Sequence, residues 1–279
     1  MTGTPALRVC LADSEADVRA AQRLRWAVFA EEMGARLDSP EPGLDIDAFD
    51  AHCDHLLVRE RRSGEVVGTY RLLGPDAARR IGGSYGDQAF DLGRLAPMRG
   101  RTVELGRSCV HAAYRRGAVV LLLWMGVAEY MRRHRHDVLF GCASIPVGDG
   151  RYDAARIWSS LVAPHLSAPA WWVLPRRPFP MPALAPPEPG AAVPMPPLVR
   201  AYLRAGARVC GEPAWDPDFH CADLPMLLPL ERLDPAYARH FLHAADGGAA
   251  TDRRGLRGRP ATTVARGEPV APAVADGLP

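Results

Sequence analysis

The run Val138-Leu139-Phe140-Gly141-Cys142-Ala143 is apolar at every position. A strand with one face in water alternates apolar and polar residues, so an unbroken run of this kind belongs in a sheet covered on both faces. Helices must supply the cover. Leu121, Leu122, Met125, Ala128, Glu129 and Met131 mark a largely buried helix over Ala118–Arg133, and Tyr152–Val162 reads as another after the turn Gly148–Gly150. Earlier in the chain, Leu7–Leu11 is a strand. Asp13 or Ser14 can cap a helix carrying Val18, Ala21, Leu24, Val28 and Phe29 at helical spacing. Asp45, Asp47, Asp50 and Asp54 interrupt periodicity as a loop, then His55–Arg59 and Val66–Leu73 form a hairpin about Ser63-Gly64. Thr102–Val110 adds a strand. The order β, α, β, β, β, α, β, α predicts an α/β (α+β) fold with a mixed central sheet flanked by helices.

Proline sets the organisation of the second half. Ten of the 23 residues from Pro175 to Pro197 are proline, which no helix or central strand accommodates. The neighbouring Trp171, Trp172 and Phe179 imply that this connection packs on the core. Pro197–Val209 can form a helix and Leu224–Leu230 an edge strand interrupted by Pro225. The expected division is a catalytic-type core over 1–170, a Pro-rich connection with a C-terminal helix and strand over 171–244, and a disordered tail rich in Gly, Pro, Ala and Arg over 245–279.

The chain contains no lysine, which excludes Schiff-base chemistry and a Walker phosphate loop. A formal net charge of +2 gives no reason to expect nucleic acid as a partner. Between Arg94 and Arg135, however, nine arginines face two acids, Glu104 and Glu129, so a basic surface for an acidic partner is expected there. Six cysteines without a CxxC pair suit a reducing compartment, and the longest apolar stretch, Ala118–Ala128, falls short of the roughly 20 residues that span a bilayer. A cytoplasmic protein is expected.

Chemistry concentrates in Val103-Glu104-Leu105-Gly106-Arg107-Ser108-Cys109-Val110. In a regular strand Glu104 and Arg107 face opposite ways, but Gly106 can host a bulge that turns both toward one cleft and frees N–H groups for a thioester carbonyl or pantetheine amides. The plainer alternative is a buried ion pair without chemistry. Arg115-Arg116-Gly117 then precedes a helix whose N-terminal N–H groups suit a phosphate. His52-Cys53-Asp54-His55 is not expected to bind metal, because alternate residues of an extended chain point apart. Cys109 and Cys142 read as packed thiols rather than nucleophiles.

The strand, basic loop, helix and second strand resemble the acyl-donor half of the GNAT superfamily, although the usual Gln/Arg-x-x-Gly-x-Gly/Ala loop is not matched. More closely, the chain resembles the L-ornithine Nα-acyltransferases and, more distantly, the acyl-homoserine-lactone synthases. The blocks that carry this are Leu24–Phe29, Phe49-Asp50, Cys53–Val58, Val67–Leu73, Glu104–Ser108, Leu139–Ser144 and Gly211–Asp216 with Phe219.

The resemblance implies an N-acyltransferase of GNAT fold that moves a 3-hydroxyacyl chain from acyl carrier protein to the α-amine of L-ornithine. The acyl-phosphopantetheine is then the donor in place of coenzyme A, with no tightly bound cofactor and a transient contact with the inner membrane surface. Glu104, Arg107 and Tyr152 are the implied catalytic set. Arg25, Phe29, Asp47, Asp50 and Arg71 would hold the amino acid, and Ser108, Cys109, Val110, Arg115, Arg116 and Gly117 the donor. Another amino acid or S-adenosylmethionine as acceptor is the nearest alternative, and a hemolysin-like binding protein the alternative outside enzymes.

Overall fold

A mixed sheet of eight strands forms the centre of the fold. The computed structural model describes residues 6–115, 118–147, 152–182 and 195–233. In chain order it places β1 (Leu7–Leu11), α1 (Glu15–Trp26), β2 (Asp54–Glu60), β3 (Val66–Leu73), α2 (Pro75–Arg80), α3 (Gly86–Ala89), β4 (Phe90–Asp91) and β5 (Thr102–Val110). There follow α4 (Val119–His134), β6 (Val138–Pro146), α5 (Tyr152–His165), β7 (Leu174–Pro175), α6 (Pro197–Ala205), β8 (Arg208–Val209), β9 (Ala214–Asp216) and β10 (Cys221–Pro229). Among the described residues the main sheet runs β1-β2-β3-β5-β6-β10-β8 with β9 paired to β10, and these strands pair antiparallel except β5 with β6, which α4 joins as a parallel crossover.

The continuous apolar run in β6 is covered as its composition requires. Leu139, Ala143 and Ile145 join one core cluster with α4, α5 and α6, while Val138 and Phe140 point into a second with Phe90, Leu92, Leu95, Met98 and Leu227. A third cluster holds α1 against the sheet through Ala21, Leu24, Val28 and Phe29 with Leu57 and Cys109. Ser14 caps α1, accepting from Asp17 N at 3.2 Å. The helical path then loosens into a π-helical turn over Ala27–Glu32, which carries Phe29.

Two expectations for the second half are corrected. The helix beginning at Pro197 ends at Ala205 rather than Val209, because Gly206 adopts a left-handed cap (φ 100°) and the chain continues as β8. Nor is the strand around Pro225 an edge: β10 pairs along its length with β6 and, on the other side, with the short β8 and β9. Pro225 is tolerated because its carbonyl accepts from Cys210 N at 2.9 Å, which shows that its missing N–H faces the gap between β8 and β9. Phe179 is buried against Trp215 and Trp172 Nε1 donates to Ser167 O at 3.0 Å, so the start of the Pro-rich connection packs. The expected tail, 245–279, lies outside the described residues.

Candidate active site

The pairing of β3 with β5 explains how one strand aims two charged side chains at the same place. Thr69 pairs with Cys109 and Arg71 with Gly106, so Tyr70 alone opposes both Arg107 and Ser108. The extra residue reverses the alternation. Glu104 and Gly106 line a pocket on the α1 side of the sheet, and beyond the bulge Arg107 and Cys109 face that same side. The bulge forms one residue after Gly106, which stays in the ladder, and Arg107 itself takes the left-handed conformation (φ 53°). That conformation costs about 1 kcal/mol or more for a residue with a Cβ. Its guanidinium offsets the cost, lying 5.0 Å from the Tyr85 ring centroid and 5.1 Å from that of Phe219, with Asp45 at 3.2 Å and Asp47 at 3.5 Å.

Three arginines and three aspartates interlock beneath this cleft. Arg25, wholly buried, reaches Asp45 Oδ2 at 2.8 Å and Asp50 Oδ2 at 2.6 Å, and also donates to the Asp45 carbonyl. Arg71 donates to Asp47 Oδ1 at 2.6 Å and Asp50 Oδ1 at 2.9 Å, while Gln22 Nε2 donates to Asp50 Oδ2 at 3.0 Å. Burial alone would raise the Asp50 carboxyl, but the guanidiniums of Arg25 and Arg71 hold it well below the usual carboxylate range. The set therefore pins the loop carrying Asp45, Asp47 and Asp50 to α1, β3 and β5. Asp47 is the least enclosed of the three acids, with a fifth of its side chain exposed.

Unlike the three aspartates, Glu104 makes no ion pair among the described residues. It is buried, its Oε1 accepts from Gly86 N at 2.7 Å, and its Oε2 has no hydrogen-bond partner among the described residues. Burial pushes its pKa up to about 7, against the lowering effect of Ser84, the Gly86 N–H and Arg71. A carboxyl that titrates near neutrality, with one oxygen unengaged, is suited to accept a proton from a bound amine. The pocket beside it, about 200 Å³ including its mouth, is lined by Phe49, Cys53, Arg71, Leu73, Tyr85 and Gly106.

β5 and β6 pair only from Thr102 with Val138 to Leu105 with Gly141. Beyond that point no ladder joins them among the described residues, although β5 runs on to Val110 and β6 to Pro146. The two parted edges leave Ser108, Cys109 and Val110 beside an opening where backbone groups can meet an inserted chain. The parting begins at a tight contact: a Cβ added to Gly141 would lie 2.8 Å from the Leu105 carbonyl oxygen. Gly141→Ala should therefore destabilise the fold by about 1–3 kcal/mol in denaturant titration.

A match to an acetyltransferase (GNAT) domain covers residues 24–125, the stretch holding the end of α1, the aspartate loop, the bulge and most of the first half of α4. Over 253 residues the chain is 40% identical to an L-ornithine N(alpha)-acyltransferase of Brucella abortus, covering 85% of this chain and 89% of that protein. It is 37% identical over 258 residues to one of Rhizobium meliloti, covering 87% and 86%. The chain belongs to the L-ornithine N(alpha)-acyltransferase family. It is an acyltransferase. A solved structure of a coenzyme A-dependent acyl-homoserine lactone synthase, BjaI, superposes with TM-score 0.53 at 18% identity, covering 90% of this chain and 95% of that one, and shares the fold.

Of the site residues expected in this acyltransferase, the structure brings Arg25, Asp47, Asp50, Arg71, Glu104 and Arg107 together, with Phe29 behind them edge-on to Phe219 at 5.4 Å. Arg115 lies at the entrance to α4, paired through both guanidinium nitrogens with Glu32 and donating to Val110 O at 3.1 Å. Arg116 and Gly117 lie outside the described residues, and Tyr152 opens α5 with its side chain undescribed. Burial pushes the Cys109 thiol up to about 12 and Cys142 well above its ordinary value, so neither supplies a thiolate. Cys53 lines the pocket, Asp54 accepts from Tyr130 Oη at 2.8 Å, and His55 Nε2 bonds Asp50 O at 3.0 Å.

The expected arginine surface does not hold together. Arg99 pairs with Asp87, Arg101 with Asp137, Arg107 with Asp45, and Arg132 and Arg133 share Glu129. The count along the sequence missed acids that folding brings from elsewhere. Moreover α4, 16 residues or about 24 Å long, separates Arg115 from Arg132, Arg133 and Arg135.

Sequence reasoning treated Asp45 as loop and overlooked Tyr85 and Gly86. The signal for Asp45 was its company: three arginines within apolar segments need three buried acids. Nothing local marks Tyr85 and Gly86, which the four-residue α3 delivers to Glu104 and Arg107.

Proposed function

We propose that the enzyme transfers a 3-hydroxyacyl chain from the pantetheine thioester of acyl carrier protein to the α-amine of L-ornithine, giving lyso-ornithine lipid. The observation that carries this is Glu104, a buried carboxyl with one unengaged oxygen in a pocket that adjoins the parted edges of β5 and β6. Glu104 accepts the proton of the α-ammonium, and the freed amine attacks the thioester carbon. The C–N bond forms first, and N–H groups of Gly106 to Cys109 stabilise the resulting oxyanion, each by roughly 3 kcal/mol. Collapse of this intermediate breaks the C–S bond. Tyr152 gives a proton to the departing pantetheine thiolate and is restored by the second proton, which the nitrogen sheds as it becomes the amide. Arg71, which lines the pocket, and Arg107 orient the carboxylate of ornithine, and Asp47, the most open of the acids, its side-chain ammonium. Arg25, Asp50 and Phe29 keep these groups in place.

Support for a carrier-protein donor is the sequence Tyr114-Arg115-Arg116-Gly117, which departs from the usual coenzyme A pattern and carries two arginines just ahead of α4. An acidic carrier then competes with Glu32 for Arg115. The reaction belongs in the cytoplasm, where acyl carrier protein is made, with transient contact at the membrane surface that receives the lipid. No helix among the described residues is long and apolar enough to cross a membrane. The test gives purified enzyme matched acyl chains on carrier protein and on coenzyme A. Carrier-borne chains should react with the higher kcat/KM, and that advantage should shrink as salt rises past 0.1 M, where attraction between exposed charges is screened within about 10 Å. Equal use of both donors at all salt concentrations would contradict the carrier assignment.

A further inference from the structure

The other side of the same sheet holds a polar pair that the reaction described above does not use. Tyr70 on β3 and Tyr202 on α6 are buried, and their hydroxyls hydrogen-bond to each other. Two hydroxyls carry two protons, and one bond between them engages only one; among the described residues neither oxygen has another partner. The surroundings are apolar, with Trp124 edge-on to Tyr202 at 5.2 Å. Buried hydroxyl donors in native proteins are almost always matched, so an unmatched one is a request for a ligand oxygen.

The position of the pair says which ligand. Tyr70 is the residue opposite the bulge at Arg107 and Ser108. The hydroxyl of Tyr202 lies 3.2 Å from where a Cβ on Gly141 would be, and Gly141 is the last residue of β6 paired with β5 before the strands part. Glu104 stands one residue before that point on the opposite face. A thioester that enters between the strands with its carbonyl carbon toward Glu104 would send its chain toward Tyr202 and Tyr70. Burial raises both phenols above their ordinary pKa, so they remain neutral donors and are poor candidates to protonate a thiolate.

We infer that the Tyr70–Tyr202 hydroxyl pair, set where β5 and β6 part, recognises the oxygen substituent near the thioester end of the acyl chain and selects hydroxylated over unsubstituted donors. This rests on the 3-hydroxyacyl donor proposed above. A site built to bond a hydroxyl rejects the analogue lacking it far more strongly than an apolar pocket rejects an added hydroxyl. The pair is a specificity device, and its removal should act on the choice between donors.

The test compares kcat/KM for 3-hydroxyacyl and unsubstituted acyl chains of equal length on carrier protein, in wild type, Tyr202→Phe and Tyr70→Phe. Wild type should prefer the hydroxylated chain, and each variant should reduce that preference about tenfold or more. If wild type prefers the hydroxylated chain and both variants keep the preference, the pair is not the reader and the donor assignment survives. An equal fall on both donors would mark the pair as purely structural and overturn the inference. Absence of any preference in wild type would overturn the donor assignment and the inference together.

Discussion

Replacing Glu104 with Gln should lower kcat by about 10²–10⁴-fold, the usual contribution of a positioned general base, while leaving ornithine binding less affected. The same variant should be more stable than wild type above neutral pH. Burial holds the Glu104 carboxyl up to about 7 in the folded protein, against about 4.3 in an unfolded chain. The stability conferred by this retained proton is complete below the unfolded value and is lost as pH rises through about 7. By pH 8 the loss is about 3–4 kcal/mol. The glutamine side chain carries no charge to desolvate, so E104Q should melt roughly 10 °C above wild type at pH 8, with the difference closing toward pH 4. In the wild-type rate profile the rising limb near pH 7 belongs to this carboxyl and should be missing from the variant. Equal turnover of the two proteins would remove Glu104 as the base.

Arg25→Ala should produce the largest loss of stability, about 3–5 kcal/mol, because it takes one of two guanidinium partners from each of the buried acids Asp45 and Asp50. Urea titration reads that value, and melting should drop by roughly 10 °C. The effect extends to function through geometry. Asp45 and Asp50 bridge Arg25 to Arg107 and Arg71, so loosening one end of the network frees Arg71, which lines the pocket, and Arg107 beside Tyr85. KM for ornithine should therefore rise. A loss below about 1 kcal/mol would mean that the interlocked charges contribute little beyond their own desolvation.

Much of this arrangement is legible in the amino-acid sequence. β1, β3 and β5 have the bounds expected from their patterns, since each is an apolar or β-branched run closed by a turn residue or a loop. The juxtaposition of Glu104 with Arg107 also follows from the sequence, because a glycine between two charged residues of a strand suggests a bulge. What the sequence hid depends on long-range partners. Pro225 looked like the mark of an edge, yet the gap between β8 and β9 accepts its missing N–H. The arginines from Arg94 to Arg135 looked unopposed until Asp87, Asp137 and Glu32 folded against them. Tyr202 was an ordinary helical aromatic until α6 set it against Tyr70, 132 residues away along the chain.

Acyl transfer to the α-amine of ornithine from a carrier-borne thioester has a direct chemical signature. Ornithine labelled with heavy nitrogen at the α-position only, incubated with the enzyme and 3-hydroxyacyl carrier protein, tests it by mass spectrometry of the lipid extract. The predicted result is a single N-acyl-ornithine with the label in the amide. An amide formed at the unlabelled side-chain nitrogen, or release of free acid without any amide, would contradict the account.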